Sequence, residues 1–170
     1  QYILESNEKI PSLLKNQLLV QGAGIVLNPK NGHILGMVGG RQEKIYQDHF
    51  NRSTQAKRQP GSVFKPLIYL TALENGYTTT TELLNQPLIV FIDDTTQWNP
   101  QNHDGSTGLL TTLRSGLQKS LNLISVRVVQ ELITPKEVVN NAKDFGISTK
   151  IRAVDAIALG VSEVYPLEIT

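Results

Sequence analysis

Cysteine is absent from this 170-residue chain, and its absence excludes disulfides and thiolate metal sites. The three histidines, His33, His49 and His103, have no metal-ligand spacing, so we expect neither a metal nor any other cofactor. The net charge is only +1, which gives no electrostatic reason to expect nucleic acid as a partner. No apolar run is long enough to span a membrane and no signal peptide is visible, so we expect no membrane segment in this chain.

What the chain does contain is enough to build a packed core, since 39% of its residues are hydrophobic and 18% are charged. Its length is that of one domain or of a piece of a larger one. It opens on Gln1 rather than on methionine, so we expect an excised segment whose own targeting signals were left out. Residues 1–20 are polar with scattered leucines, and we interpret them as a linker or an N-terminal helix.

Turn and capping signals divide the rest of the chain into a strand pair and several helices. Two runs rich in β-branched residues, 22–27 and 33–38, flank an Asn31-Gly32 step that favours positive φ, and together they predict a hairpin. Thr134, followed by proline and by glutamate at 137, predicts a helix start with a capping box. Further expectations are a polar loop over 41–59, a helix from Ser62 to about Asn75, a segment without a steady period over 77–108, and helical periodicity from Thr111 to Leu132. Another helix would end near Phe145, and the segment from Leu159 to Val164 would be a loop leading to a further element.

The most informative segment is 58–66, which reads Arg-Gln-Pro-Gly-Ser-Val-Phe-Lys-Pro. A serine hydroxyl is a weak nucleophile at neutral pH, and it needs a nearby base and donors for the oxyanion that it creates. Ser62 and Lys65 are three residues apart on one helical face, so Lys65 is placed to serve as that base. The exposed amides at a helix start offer part of the donor set.

Ser-x-x-Lys is a weak pattern by itself, because it also occurs at residues 6–9 and 12–15. For any isolated copy, a surface serine and a solvated lysine are the simpler interpretation. Only the third copy has a context that would fix its geometry. The Pro60-Gly61 step favours a sharp turn before Ser62, and a mostly apolar helix follows that Gly76 would terminate.

A second weak pattern, Ser120-x-Asn122, interrupts the helical periodicity. Serine and asparagine are common where helices break, so capping is the simpler interpretation of an isolated match. The order of the two patterns favours chemistry instead. A Ser-x-x-Lys that opens a buried helix, followed about sixty residues later by Ser-x-Asn between helices, resembles the arrangement of the penicillin-recognising serine acyl enzymes.

The surrounding sequence is similar to the transpeptidase domain of class A penicillin-binding proteins, the bifunctional branch of that superfamily. The Arg-Gln-Pro-Gly prefix before Ser62 resembles this branch more than class B transpeptidases or β-lactamases, and no deacylating glutamate of the β-lactamase kind is recognisable. The similar segments follow the family's order over nearly the whole chain: 24–29, 32–40, 50–52, 58–66, 72–76, 98–100 with Asn102, 120–122 and 159–164.

The resemblance implies a serine D-Ala-D-Ala transpeptidase that cross-links peptidoglycan stem peptides through an acyl-enzyme and is acylated by β-lactam antibiotics. By position, Ser62 would be the nucleophile and Lys65 its base. Ser120 would pass the proton toward the leaving nitrogen, and Asn122 would hydrogen-bond the backbone amide of the substrate. The backbone N–H of Ser62 would be one oxyanion donor. Burial and nearby positive charge would make the neutral form of Lys65 accessible.

The family's third pattern, Lys-Thr-Gly or Lys-Ser-Gly on a strand that lines the site, is absent. We therefore expect residues 21–170 to be an incomplete transpeptidase domain, cut short rather than degenerate, because both earlier patterns are intact. The missing strand would supply the second oxyanion amide, and losing one such donor lowers rates by about two to three orders of magnitude. We expect the chain alone to be nearly inactive, with an exposed sheet edge that is prone to self-association.

The sequence as a whole predicts an α+β fold, a partial β-lactamase/transpeptidase-like fold in which a β-hairpin of an antiparallel sheet packs on a mainly helical lobe. The parent would be membrane-anchored on the extracytoplasmic face of the bacterial plasma membrane, with a glycosyltransferase domain before this chain. Two alternatives stay open. A β-lactam sensor would be acylated without turnover and would carry a transmembrane signalling module, and a non-catalytic scaffold would tolerate Ser62→Ala.

Overall fold

The computed structural model describes residues 20–41, 49–91, 96–103 and 105–170. The predicted linker or helix over residues 1–20, and with it the two other Ser-x-x-Lys copies, lies outside the described residues except for Val20. The described residues combine short helices with small antiparallel sheets, which confirms the predicted α+β fold class. The chain separates into two compact units, one ending at Gln55 and the other spanning Ala56–Thr170.

The first unit contains the predicted hairpin, formed by β1 (Gly24–Leu27) and β2 (Ile34–Val38) in antiparallel register. The Asn28 carbonyl accepts the Gly32 N–H over 2.8 Å at the turn, and Gly32 has a φ of +70°. That left-handed value is the one that the Asn-Gly step favours. This sheet has two strands in the described part of the chain, and its pairing with a second copy stays a prediction.

A short helix, α1 (Arg52–Gln55), corrects the expectation of a continuous polar loop over 41–59. The Asn51 side chain explains it, because Asn51 Oδ1 accepts the Ser53 N–H over 3.0 Å and thereby caps the first turn. The buried Ser53 hydroxyl then donates to the Val38 carbonyl over 2.9 Å and attaches this turn to β2. Four residues are too few to show helical periodicity in a sequence.

The second unit is mainly helical, as predicted. None of the helices in the described ranges is long and apolar enough to cross a membrane. The α-helices are α2 (Lys65–Glu74), α3 (Leu113–Gln118), α4 (Asn122–Arg127), α5 (Pro135–Asp144) and α6 (Pro166–Ile169). The strands form two antiparallel pairs, β3 (Glu82–Leu84) with β6 (Leu110–Thr112) and β4 (Val90–Phe91) with β5 (Gln97–Trp98). Short 3₁₀ helices cover Gly61–Phe64 and Asp155–Leu159, and a π-helical turn covers Val128–Leu132.

The predicted C-terminal end of α2 and the predicted N-terminal cap of α5 are both confirmed. The Gly76 N–H donates to Leu73 O and the next N–H donates to Ala72 O, which is the glycine-terminated end predicted for α2. Thr134 and Glu137 form the predicted capping box of α5. Segment 77–108, which lacks a steady period in the sequence, contains the short strands β3, β4 and β5. One expectation was wrong: Thr111 and Thr112 belong to a strand rather than to a helix, and the Thr112 side chain caps α3, which starts at residue 113.

The hydrophobic core of the second unit lies between α2, α4 and α5. Ile68 and Ala72 on α2 are fully buried there, whereas Leu73 on the same helix is 40% exposed. Trp98 is partly buried against this core, so its side chain acts as a packing anchor. The helix that carries Lys65 is therefore held along its length by apolar contacts.

The turn before Ser62 is attached to segment 160–164 by backbone contacts. Arg58 and Val164 form an antiparallel bridge with hydrogen bonds of 2.9 and 3.0 Å, and the Gly61 N–H donates to Gly160 O over 3.2 Å. Gly160 has a φ of +65°, and a methyl group on it would overlap the Gly61 backbone. Position 160 therefore needs glycine both for its backbone angle and for its close contact.

We expect Gly160→Ala to destabilise the protein more than Gly76→Ala does. Both glycines have positive φ, so both substitutions carry a backbone penalty of about 1–2 kcal/mol. At Gly76 nothing lies within 4 Å of an added methyl group, so only the variant at residue 160 adds steric overlap. Urea unfolding of the two variants measures the difference, and equal losses would contradict the Gly61–Gly160 contact.

Candidate active site

Ser62 lies in the tight helical turn Gly61–Phe64, which leads directly into α2. Its side chain is exposed, and neither its hydroxyl nor its backbone N–H bonds to another described residue. The predicted helix start is thus confirmed, with a 3₁₀ turn in front of the α-helix. An exposed hydroxyl beside an uncommitted N–H can meet a carbonyl group from solvent and stabilise the charge that develops on it.

Lys65, the first residue of α2, is the most buried charged side chain of the site, with 1% of its surface exposed. Its Nζ donates to Ser120 O over 2.7 Å, to Ser120 Oγ over 3.1 Å and to Asn122 Oδ1 over 2.7 Å. An ammonium group has three donors, so these oxygens match its full capacity. The structure therefore brings together three of the four predicted site residues, while no hydrogen bond joins Lys65 to Ser62.

Burial of the Lys65 amine lowers its pKa from 10.5 to about 8, because the charged form is poorly solvated there. A neutral amine keeps two donors and gains one lone pair. Of its three partners, only Ser120 Oγ can change from acceptor to donor, since the other two are carbonyl oxygens. Lys65 and Ser120 can therefore exchange a proton along a contact that already exists.

Ser120 has a φ of +53° and is the one non-glycine residue with positive φ in the described ranges. It follows the end of α3, where its N–H donates to Leu117 O over 3.0 Å and the Leu121 N–H donates to Gly116 O over 2.8 Å. This helix end normally carries glycine, and a serine there is strained by on the order of 1 kcal/mol. The helix break inferred from the sequence is confirmed. The Ser120 hydroxyl does not cap a helix, however, because it accepts a hydrogen bond from Lys65.

Asn122 opens α4 with a half-buried side chain. Its Oδ1 accepts from Lys65, and its Nδ2 donates to the Gln101 carbonyl over 2.8 Å. A primary amide has two N–H donors, so one remains for another group. No cluster of side chains able to hold a metal ion occurs within the described ranges.

A buried contact beneath the site joins α2 to α4. The Tyr69 hydroxyl lies 3.3 Å from Ser125 Oγ, which donates to Leu121 O over 3.0 Å. Burial raises the pKa of Tyr69 to about 12, so its hydroxyl stays protonated, and either hydroxyl can be the donor in this contact. A methyl group on Gly116 would lie 2.7 Å from that hydroxyl. The spacing between Lys65 and segment 120–122 is therefore fixed by close packing.

The residues that hold this arrangement lie outside the two patterns, and no structural role was predicted for them from the sequence. Gly160 supports the turn of Ser62, and the loop residues Gln101 and Asn102 contact the start of α4. Asn99 and Asn102 lie three residues apart in the same loop, and nothing local in the sequence separates the buried Asn102 from the exposed Asn99. The available signal was the family resemblance of residues 98–100 with Asn102.

A family model of the penicillin-binding protein transpeptidase domain matches residues 22–157. Over 152 residues the chain is 41% identical to penicillin-binding protein 1A of Pseudomonas aeruginosa, covering 88% of this chain and 18% of that protein. Over 144 residues it is 36% identical to penicillin-binding protein 2D of Bacillus subtilis, covering 84% of this chain and 20% of that protein. The chain belongs to the penicillin-binding protein transpeptidase family, which confirms the resemblance carried by its ordered segments.

Solved structures agree on the fold. The crystal structure of penicillin-binding protein 1A from Haemophilus influenzae matches with a TM-score of 0.78 and 34% identity, over 87% of this chain and 22% of that one. A penicillin G acyl-enzyme complex of penicillin-binding protein A from M. tuberculosis shares the fold, with a TM-score of 0.59 and 22% identity over 70% of this chain and 32% of that one. The chain spans about a fifth of the length of the curated relatives it matches.

At the strained serine, we expect Ser120→Gly to be more stable than Ser120→Ala by on the order of 1 kcal/mol. Both changes remove the hydroxyl and its contact with Lys65, and both keep the backbone carbonyl that Lys65 also uses. Only glycine relieves the positive φ. Urea unfolding at constant pH compares the two, and equal stability would contradict the strain.

The lowered pKa of Lys65 predicts that its contribution to stability rises with pH between about 8 and 10.5. In that window the unfolded chain binds more protons at this residue than the folded one, so the free energy of unfolding increases with pH. Relative to Lys65→Met, which has a similar stem and no titration, the wild type should gain up to about 3 kcal/mol. Urea unfolding of both proteins across this range measures the gain, and a flat or falling difference would contradict it.

Proposed function

We propose that this chain is part of the D,D-transpeptidase domain of a peptidoglycan synthase, which cross-links stem peptides ending in D-Ala-D-Ala and is acylated by β-lactams at Ser62. One observation carries the proposal: a buried lysine with a lowered pKa contacts both Ser120 and Asn122 and stands one turn after an exposed serine. Family membership supports the reaction class, and the geometry supports the roles proposed for the residues.

In the acylation step, Ser62 Oγ attacks the carbonyl carbon of the penultimate D-alanine while neutral Lys65 takes the hydroxyl proton. The negative charge on the carbonyl oxygen is stabilised by the free Ser62 N–H. Lys65 and Ser62 are not hydrogen-bonded in the free protein, and such contacts often tighten only when substrate is bound. A pKa of about 8 keeps an appreciable fraction of Lys65 neutral near neutral pH.

The proton then leaves through Ser120. Lys65 returns it to Ser120 Oγ along their 3.1 Å contact, and Ser120 gives its own proton to the nitrogen of the terminal D-alanine as the C–N bond breaks. The amine of a neighbouring stem peptide attacks the resulting ester, its proton follows the reverse route, and Ser62 is restored. With a β-lactam the expelled nitrogen stays attached to the acyl group, so this second step is slow.

Asn122 orients the substrate in this proposal. Its one uncommitted N–H donates to a backbone carbonyl of the stem peptide, while its other amide contacts hold the side chain in place. We also propose that the protein acts outside the cytoplasmic membrane, where peptidoglycan is assembled, as part of a membrane-anchored chain. The likeness to penicillin-binding proteins 1A supports this location.

Benzylpenicillin tests the nucleophile in the product of the full gene. We expect a stoichiometric mass increase on the peptide that contains Ser62, lost in Ser62→Ala and kept in Ser12→Ala, which alters another copy of Ser-x-x-Lys. The acylation rate should rise with pH around 8 as Lys65 loses its proton. Undiminished acylation of Ser62→Ala would overturn the assignment.

Two further measurements separate this function from its alternatives. A transpeptidase releases D-alanine from a stem-peptide analogue and joins it to an added amine, whereas a sensor is acylated without turnover and a scaffold does neither. The 170-residue chain alone should be acylated at least about a hundredfold more slowly than the full gene product, since one oxyanion donor contributes two to three orders of magnitude. Equal rates would contradict the need for a second donor from elsewhere.

A further inference from the structure

The start of α4 has a hydrogen-bonding requirement that its own sequence does not meet. The first four N–H groups of a helix have no partner inside it, and here the capping position is held by Leu121, whose side chain cannot accept a hydrogen bond. The N–H of Leu123, the second residue of the helix, is one of these four groups, and Leu123 is buried. This N–H donates over 2.9 Å to Oδ1 of Asn102, twenty-one residues earlier in the chain. Asn102 therefore caps α4 from a separate loop.

The Asn102 amide is itself held on both sides. Its Nδ2 donates to Asn85 Oδ1 over 2.8 Å and to Gly105 O over 2.9 Å. Asn102 is 8% exposed and Asn85 is 3% exposed. Two acceptors on one side and an N–H donor on the other leave one orientation for the amide, with its oxygen toward Leu123.

Asn85 connects this group to the sheet. It follows β3 directly, its N–H donates to Leu109 O over 2.9 Å, and its carbonyl accepts the Gly108 N–H over 2.8 Å. Both partners lie just before β6, which pairs with β3. The cap of α4 is thus anchored on paired strands and does not rest on a loop alone.

The same loop also holds the side chain of Asn122. The backbone carbonyl of Gln101, in this loop, accepts a hydrogen bond from Asn122 Nδ2 over 2.8 Å. That contact turns Asn122 Oδ1 toward Lys65 Nζ, which lies 2.7 Å away. Adjacent residues therefore fix the backbone and the side chain at the start of α4. If Asn102 moves, Gln101 moves with it and Asn122 loses its direction.

We propose that Asn102 is a positioning residue for the reaction, which sets the geometry in which Asn122 meets Lys65. The inference rests on the proposed function, because its consequence is the acylation rate of Ser62. It assigns Asn102 no contact with substrate. Its effect passes through Asn122, and this route separates it from a residue that only stabilises the fold.

The chain offers a matched control three residues earlier. Asn99 is exposed and has no hydrogen-bond partner among the residues that the structure describes. Asn99→Ala therefore makes the same chemical change in the same loop without touching α4. Asn102→Ala, in contrast, leaves the Leu123 N–H, Asn85 Oδ1 and the Gly105 carbonyl without their partner.

The test measures second-order acylation by benzylpenicillin in the product of the full gene, with rates referred to the folded fraction. We expect Asn102→Ala to slow acylation by about 10- to 100-fold and Asn99→Ala to leave it within about threefold. In an Asn122→Ala background, Asn102→Ala should add less than about threefold, because its route of action is already gone. An equal loss in both backgrounds would show a merely structural role and overturn the proposal.

Asn102→Asp keeps the inference testable if Asn102→Ala does not fold. A carboxylate still accepts the Leu123 N–H, and the Asn85 amide can turn to donate to it, so the cap is kept although the Gly105 carbonyl loses its donor. We expect Asn102→Asp to acylate at least about fivefold faster than Asn122→Ala, since Asn122 stays oriented. A rate as low as that of Asn122→Ala would contradict the proposal.

The two proposals fail in different ways. If Ser62→Ala is still acylated, the proposed function is wrong. If Ser62 is required but Asn102→Ala acylates as fast as Asn99→Ala, the function stands and only the positioning role of Asn102 is overturned.

Discussion

The amine of Lys65 is removed from water and held by oxygens that carry no full charge. In the described ranges no carboxylate pairs with it, and its partners are a carbonyl, a hydroxyl and an amide oxygen. A carboxylate at the same distance would favour the ammonium form and raise the pKa of this group. Neutral dipoles are strong enough to fix the position of the amine but too weak to offset its lost hydration. The same atom is therefore held in place and readily neutral, and the proposed role of general base requires both properties.

Three helix ends converge to make this environment, and none of them is regular. The helix that carries Lys65 begins with a tight turn supported by Gly160, the helix before Ser120 ends in a left-handed residue, and the helix that starts at Asn122 is capped from another loop. Backbone N–H and C=O groups are left free at helix ends, so these places can present polar atoms that a helix interior would use internally. The apolar core and the Tyr69–Ser125 contact hold the ends at one spacing.

Sequence reasoning succeeded where the information lies within a few residues. The Asn31-Gly32 turn, the glycine end at Gly76 and the capping box at Thr134 are each encoded by neighbours, and the structure has all three. It failed where a residue's partner is distant. The pairing of β3 with β6 joins segments that are more than twenty residues apart, and the contact of Asn102 with Leu123 has the same character. The site was found through its two local patterns, but the preference of Lys65 for Ser120 over Ser62 depends on how α2 and α4 pack.

The backbone of Ser120 has a consequence for reading other members of the family. A residue with left-handed φ at a helix end is where glycine fits best, so selection for stability alone would replace the serine. Its persistence would indicate that the hydroxyl is in use, because activity and stability favour different residues at this one position. A relative with glycine there would keep the helix junction and lose the proposed proton route. Such a substitution would mark a homologue that has retained the fold without the chemistry proposed for Ser120.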